Sequence, residues 1–222
     1  MVRTLGQVLD PEHDRVLVID DSSPDGTGEL ADRLGAGLPW LTTLHRPTKE
    51  GIGAAYVAGF KVALESQPQL VVQMDCDFSH DPADVPRLIA ACAGGADLAL
   101  GSRWVPGGGT ANWGLTRQLV SRGGSLYARV LLGVGVRDLT GGFKCFRREV
   151  LEAIDLDSVR TRGYGFQIEM TYRALRAGFR VAELPIVFVD RRVGQSKMSS
   201  AIVLEAMRQV PVLRARALAG RL

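Results

Sequence analysis

Asp75-Cys76-Asp77 places two carboxylates two residues apart, directly after the apolar run Leu70-Val-Val-Gln-Met74. Side chains of an extended strand alternate faces, so residues two apart point the same way. Two carboxylates so paired at a strand end can share one hard cation. Oxygen-only ligation selects Mg²⁺ or Mn²⁺, with water and substrate phosphate completing the shell. The competing reading makes Asp77 and Asp81 plain caps of the helix that Pro82 opens. His80 reads as a turn residue rather than a ligand, with Ser79 better placed. A second acidic pair begins Asp20-Asp21-Ser22-Ser23-Pro24-Asp25-Gly26, where the β-branched run Arg15-Val-Leu-Val-Ile-Asp20 ends. Carboxylates there accept hydrogen bonds from a nucleobase N–H or a ribose hydroxyl, whereas Asp25 suits an Asx turn and a helix cap. Lys49-Glu50-Gly51-Ile52-Gly53 opens a helix, where glycines admit a ligand to the backbone and the helix terminus favours an anion. The lysine precedes the glycines, so this is not a nucleoside-triphosphate loop, and no dinucleotide G-x-G-x-x-G is present.

The elements that position these residues alternate strand and helix. Strands are predicted over 15–20, 40–44, 70–75 and 97–101. Helices are predicted from Thr27, which can cap its own helix, to about Leu34, over 51–66, and from Pro82 to about Ala93. This rhythm predicts an α/β fold: an open, mostly parallel, Rossmann-like sheet with helices on both faces. Ligands bind such sheets beyond the carboxyl ends of the strands. Asp20/Asp21, Asp75/Asp77 and Gly101-Ser-Arg103 all lie at those ends, so they are expected on one rim. The second half is less regular. It reads as a loop at Pro106–Gly109, a helix or pair of helices over 115–132 broken near Gly123-Gly124, and a strand over 141–146. A helix over 166–176, a strand pair around Pro185 and a helix over 199–218 follow.

Composition bounds the function classes. The chain has 222 residues, enough for one domain with a full core, and a formal net charge of +3. That mild balance does not imply nucleic acid. Three widely spaced cysteines, Cys76, Cys92 and Cys145, argue against a disulfide framework or a zinc site and suit buried, inert thiols in a reducing cytosol. No apolar run approaches the ~20 residues of a membrane span, so membrane contact is expected to be peripheral. The stretch 115–136 mixes leucines and valines with Arg117, Arg122 and Arg129, the pattern of either an interfacial helix or a partly buried helix with a polar face.

Several segments occur in order: Val-Ile-Asp-Asp-Ser-Ser-Pro-Asp-Gly-Thr, Lys-Glu-Gly-Ile-Gly-Ala-Ala-Tyr, Met-Asp-Cys-Asp-Phe-Ser-His-Asp-Pro, Gly-Ser-Arg, Thr-Gly-Gly-Phe-Lys and Gly-Gln-Ser-Lys-Met. Together they resemble the dolichol- or polyprenol-phosphate mannosyltransferases, within the inverting GT-A glycosyltransferases of family 2. The resemblance spans roughly 15–200 and implies one catalytic domain over 1–222, ending in a helix over 199–222. It implies that Ile19 and Asp21 contact the guanine nucleoside of GDP-mannose. Asp75, Cys76 and Asp77 would hold the Mg²⁺ or Mn²⁺ and the donor diphosphate, Cys76 through its backbone. Arg103 would bind phosphate or sugar, and Arg191 and Lys197 would close over the diphosphate. Arg117 and Ser121 would receive the phosphate of a polyprenyl phosphate acceptor. Asp77, Arg103 and Arg117 are then the candidate catalytic residues, and Glu169 a candidate for orienting one of the cations.

The resemblance further implies transfer of mannose with inversion at the cytoplasmic face of a membrane, with a membrane-anchoring subunit or domain as partner. A sister activity with UDP-glucose and an inactive nucleotide-sugar-binding subunit are the alternatives. One departure stands out: the family begins with a strand ending in Pro-x-Tyr-Asn-Glu, and no such segment precedes Val2–Leu9 here. The expectation is an N-terminally truncated domain with its first strand missing, an open sheet position and an unpaired edge.

Overall fold

The computed structural model describes residues 1–159, 161, 163–190 and 200–222. A short helix α1 (Val2–Leu5) leads to β1 (Val16–Asp20), α2 (Thr27–Gly35), β2 (Leu41–His45), α3 (Ile52–Glu65) and β3 (Leu70–Gln73). A 3₁₀ turn over Pro82–Asp84 precedes α4 (Val85–Ala93), β4 (Leu98–Ser102), β5 (Gly109–Ala111) and α5 (Leu115–Leu132). Then come β6 (Lys144–Arg147), α6 (Arg148–Ala153), α7 (Gly163–Arg176), β7 (Val181–Pro185), β8 (Val187–Val189) and α8 (Ser200–Leu218).

The fold is α/β with mostly parallel pairing, as the alternation predicts, but the strands form three ladders. β1 pairs with β2, a second ladder runs β3-β6-β4-β7, and β5 pairs with β8. β1–β2, β4–β7 and β5–β8 are parallel, whereas β6 is antiparallel to both neighbours. The reason is where the chain re-enters. The segment before β6 is pinned at the carboxyl end of β4, where Asp138 accepts the Arg103 N–H and Gly101 N–H donates to Phe143 O. From there the chain can only run back down the sheet. The expected strand over 141–146 therefore starts later, at Lys144.

Alternation along the strands sends side chains to both faces. Leu98 and Phe146 meet Phe60, Phe166 and Met170 of α3 and α7, while Ala99 and Cys145 meet Leu88 and Cys92 of α4. Leu100 faces Ala128, Leu132, Ile168 and Leu213, which seats α5 on α7 and α8. Full burial of one such Leu or Phe stabilises the fold by about 1.5–3 kcal/mol. That packing keeps α5 whole. Gly123-Gly124 costs roughly 1 kcal/mol per glycine against alanine, yet one 18-residue helix crosses it and ends on left-handed Gly133. Two smaller expectations also change. Thr27 does not cap α2: Gly26 occupies that position with φ 79°, and the Thr27 hydroxyl donates to Asp25. The loop expected at Pro106–Gly109 ends at Gly108, because Gly109 already belongs to β5.

Candidate functional site

Asp75 and Asp77 lie just beyond the carboxyl end of β3, in a turn that the ladder no longer holds. Asp75 Oδ1 accepts the Tyr56 hydroxyl at 2.8 Å, and its N–H points at His80 Nδ1 at 3.4 Å. Asp77 Oδ1 accepts the Ser79 N–H at 3.0 Å, while Asp81 takes the capping role, accepting the Ala83 N–H at 2.9 Å. So Asp77 does not cap the following helix. Phe78 sits between them at φ 61°, a left-handed conformation that costs a non-glycine about 1–3 kcal/mol. Ser22, directly after Asp21, does the same at φ 57°.

His80 lies in the turn, as expected from sequence, and is buried there. It is 2% exposed, stacked on Phe143 at 5.0 Å and edge-on to Phe188 at 5.1 Å. Burial pulls its imidazole below the ordinary pKa, and the charges of Asp75, Arg103, Asp77 and Asp138 all reach it. Two of the three expected clusters therefore meet around this ring.

The donor set at Asp75 and Asp77 fits a hard divalent cation. Cys76 is exposed rather than buried. Desolvation and then the charges of Asp75 and Asp77 push its thiol up, so it is not the thiolate a soft metal needs. Among the described residues no group of three or more His, Cys, Asp or Glu forms a metal cage. A cation completed by water and substrate phosphates needs no such cage.

The second acidic pair, expected to meet the nucleoside, lies at the end of β1 beside β2. Gly59 of α3 lets Ile19 lie flat, since a Cβ there would meet Ile19 Cδ1 at 2.2 Å. Asp21 pairs with Arg46, which reaches on to Glu50 in the glycine-rich loop. Arg46 is 10% exposed; sequence reasoning passed over it because an arginine after a strand carries no motif. Asp20 is buried and accepts the Ser23 N–H at 3.2 Å, so it builds the turn.

The cations are held by carboxylates and aromatic rings. Arg103 is 5% exposed: its Nε and one Nη each lie 2.7 Å from the two oxygens of Asp138, and that Nη also reaches Thr140 Oγ1 at 2.9 Å. Burial would raise the Asp138 carboxyl, but the Arg103 charge and the bonds from Arg103 and Thr140 outweigh it and hold the pKa below the ordinary value. Glu183 of β7 fixes the loop by accepting the N–H groups of Arg137 and Asp138. Arg103 is thus a buried cation anchored on Asp138 and Thr140. Arg117 lies 4.0 Å above Trp113 and pairs with Asp190 at 2.8 Å. Trp113 also faces Arg103 at 5.5 Å and packs edge-on against Phe188. The rings His80, Phe188 and Trp113 therefore separate the carboxylates from Arg117. Ser121, one turn on from Arg117, is 8% exposed. Arg191 and Lys197 lie outside the described residues.

Glu169 is fully buried against Arg173 and the Thr161 hydroxyl. It orients neither Arg103 nor Arg117, and its described partners are those of a structural ion pair. Lys144 is fully buried and bonded to Gln167 Oε1 and O at 2.8 Å. Burial lowers its pKa to about 7, against the pull of Asp138. Asp138, Asp190, Trp113 and Tyr56 were invisible to sequence reasoning. The Asp-x-Thr-Gly-Gly run before β6 was the available signal for Asp138 alone.

Comparison with known proteins gives the family. The family model for glycosyl transferase family 2 matches residues 2–155. An undecaprenyl-phosphate mannosyltransferase of Micrococcus luteus is 50% identical over 206 residues, 92% of this chain and 84% of that protein. A polyprenol monophosphomannose synthase of Mycolicibacterium smegmatis is 50% identical over 196 residues, 88% of this chain and 74% of that protein. Among solved structures, glucosyl-3-phosphoglycerate synthase from Mycobacterium tuberculosis, in complex with Mn²⁺, UDP-glucose and phosphoglyceric acid, superposes with a TM-score of 0.65. It is 20% identical, over 98% of this chain and 73% of that one, a likeness of fold.

Proposed function

The chain belongs to glycosyl transferase family 2 and is a glycosyltransferase; on that premise we propose that it transfers mannose from GDP-mannose to a polyprenyl phosphate with inversion. Half-identity to two relatives named for that chemistry supports the lipid acceptor and the mannosyl group. The carrying observation in the structure is the partition around His80: oxygen donors at Asp75 and Asp77 on one side, Arg117 beyond Phe188 and Trp113 on the other. A donor diphosphate needs the first set and an anionic acceptor the second.

In the proposed reaction an acceptor phosphate oxygen forms a bond to the anomeric carbon as the bond to the donor diphosphate breaks. GDP leaves with the electron pair, and an α-linked donor gives a β-linked mannosyl phosphate. The acceptor is already an anion, so little general-base work is needed, and catalysis rests on positioning and charge stabilisation. Asp75 and Asp77 would hold a divalent cation, Mg²⁺ or Mn²⁺, which supplies charge neutralisation to the leaving diphosphate. Cys76 would contribute its backbone. Ile19 and Asp21 would seat the nucleoside, with Arg46 orienting Asp21. Arg117, on the Trp113 face, would bind the acceptor phosphate with Ser121. Arg103 would act from its pair with Asp138, shaping the potential beside the transferred sugar. Arg191 and Lys197 would complete the donor diphosphate site.

The acceptor's isoprenoid tail calls for a membrane surface at α5. Leu115, Leu119, Leu126 and Val130 are exposed along it, and an open apolar hollow of about 400 Å³ is lined by Gly123, Leu126, Tyr127, Val130 and Leu131. No described helix is long and apolar enough to cross a membrane; the exposed apolar side chains of α5 support peripheral docking, beside a membrane-anchoring subunit or domain. The test is transfer from radiolabelled GDP-mannose to a short polyprenyl phosphate, with Mg²⁺ and with EDTA. Metal-dependent labelled lipid is expected; transfer from UDP-glucose instead, or donor binding without turnover, would overturn the proposal.

A further inference from the structure

The carboxylate of Asp75 stands at a weak point of the backbone. β3 ends at Gln73, two residues earlier, and the one bond to the Asp75 N–H is a long 3.4 Å contact with His80. Its side chain is nevertheless tied, because Tyr56 Oη lies 2.8 Å from Asp75 Oδ1. Tyr56 comes from α3, and its ring is clamped: it stacks on Phe166 at 5.9 Å and 5°, and on Phe60 at 6.2 Å.

In that bond the Tyr56 hydroxyl gives its single hydrogen and the Asp75 carboxylate accepts it. The strand end two residues earlier is also tied from inside. Gln73 Nε2 donates to Gln167 Oε1 at 2.9 Å, and the same oxygen accepts from Lys144 Nζ at 2.8 Å. Gln73, Lys144 and Gln167 are all at most 5% exposed, so these bonds are shielded from water.

We propose that Tyr56 is a positioning residue for the metal site, fixing one oxygen of Asp75 so that the carboxylate is presented to the cation in a single orientation. The proposal rests on the metal reading of Asp75 and Asp77. Groups that orient a metal-binding carboxylate typically change metal affinity about 10–100-fold when removed. A tyrosine that merely needed a buried partner would leave metal affinity alone.

The experiment is a Mn²⁺ titration of the full chain by electron paramagnetic resonance, with GDP and in a second series with UDP, on the parent and on Tyr56→Phe. The phenylalanine keeps the ring between Phe60 and Phe166. The expected result is a Mn²⁺ Kd raised about ten-fold or more, with GDP affinity in EDTA and Tm close to the parent. In turnover, the Mn²⁺ concentration for half-activation rises while kcat at saturating Mn²⁺ changes little. A Mn²⁺ Kd within about two-fold of the parent would overturn the proposal, as would a fall in Tm and in metal-free GDP affinity that matched the loss of Mn²⁺. A parent protein that bound no Mn²⁺ with either nucleotide would overturn the metal reading and this inference together. Parent binding with an unchanged Tyr56→Phe would remove this inference alone.

Discussion

The rim of carboxylates and the wall of cations are built on opposite plans. Asp21, Asp75 and Asp77 sit in turns past strand ends, each partly exposed, and the turns after Asp21 and Asp77 hold a non-glycine residue at positive φ. Arg103 and Arg117 are instead wrapped: one is chelated by the fully buried Asp138, the other lies between Trp113 and Asp190. The difference suits what each side is proposed to bind. Asp75 and Asp77 keep their oxygens near water and accept from the Tyr56 hydroxyl and the Ser79 N–H, whereas Asp21 is paired with Arg46. A cation kept buried needs a counter-charge to offset its desolvation, which also tempers its pull on a phosphate.

The largest expected effect tests the wrapped side. Asp138→Asn removes the counter-charge that chelates the buried Arg103, which costs about 3–5 kcal/mol, or roughly 6–20 °C in Tm for a domain of this size. Calorimetry checks it. The pH sign follows from the depressed pKa of Asp138. Its contribution is fully present above the unfolded carboxylate value, about 3.9, and is lost as pH falls through its lower folded value. Acid unfolding of Asp138→Asn should therefore depend less on pH below about 4 than that of the parent. An unchanged Tm would dissolve the contrast between the two sides.

On the open side the effect should fall on rate, not on stability. Asp77→Ala should lower mannose transfer by about 10²–10³-fold with Tm near the parent, and EDTA should reproduce the loss in the parent. An undiminished rate would return the chain to a non-metal mechanism. Arg117→Lys comes next. A lysine keeps the charge but loses the planar stack on Trp113, so KM for polyprenyl phosphate should rise about ten-fold, near 1.4 kcal/mol, with KM for GDP-mannose unchanged. If both KM values moved together, the partition at Phe188 would not divide donor from acceptor.

The smallest effect concerns the outer edge of the open side. His45, at the end of β2, bonds to Asp32 at 2.9 Å, and that bond, followed by the Asp32 charge and then Asp20, raises its pKa. What the pair contributes is present below the ordinary histidine value and lost as pH rises through the raised one. Proton NMR of His45 should show a pKa above 6.5 that returns toward it in Asp32→Asn. An equal value in both would leave the end of β2 without this contact.

The sequence by itself determined what local pattern controls. Short apolar or β-branched runs predicted β1, β2, β3 and β4 within about two residues, and the spacing of Asp75 and Asp77 placed a pair of carboxylates just past the end of β3. Motif order placed the chain among mannosyltransferases. Those signals are local because strand periodicity, turn chemistry and a two-residue spacing are written within a few residues. Tertiary structure alone decided the rest. The direction of β6, the chelation of Arg103 by Asp138 across 35 positions, the clamp on Arg117 by Asp190 and the tie from Tyr56 to Asp75 each join distant segments. An arginine followed by a loop reads the same whether its guanidinium is free or buried on a carboxylate. Only packing fixes which charge lies within 3 Å of it, and so which cation remains to meet a phosphate.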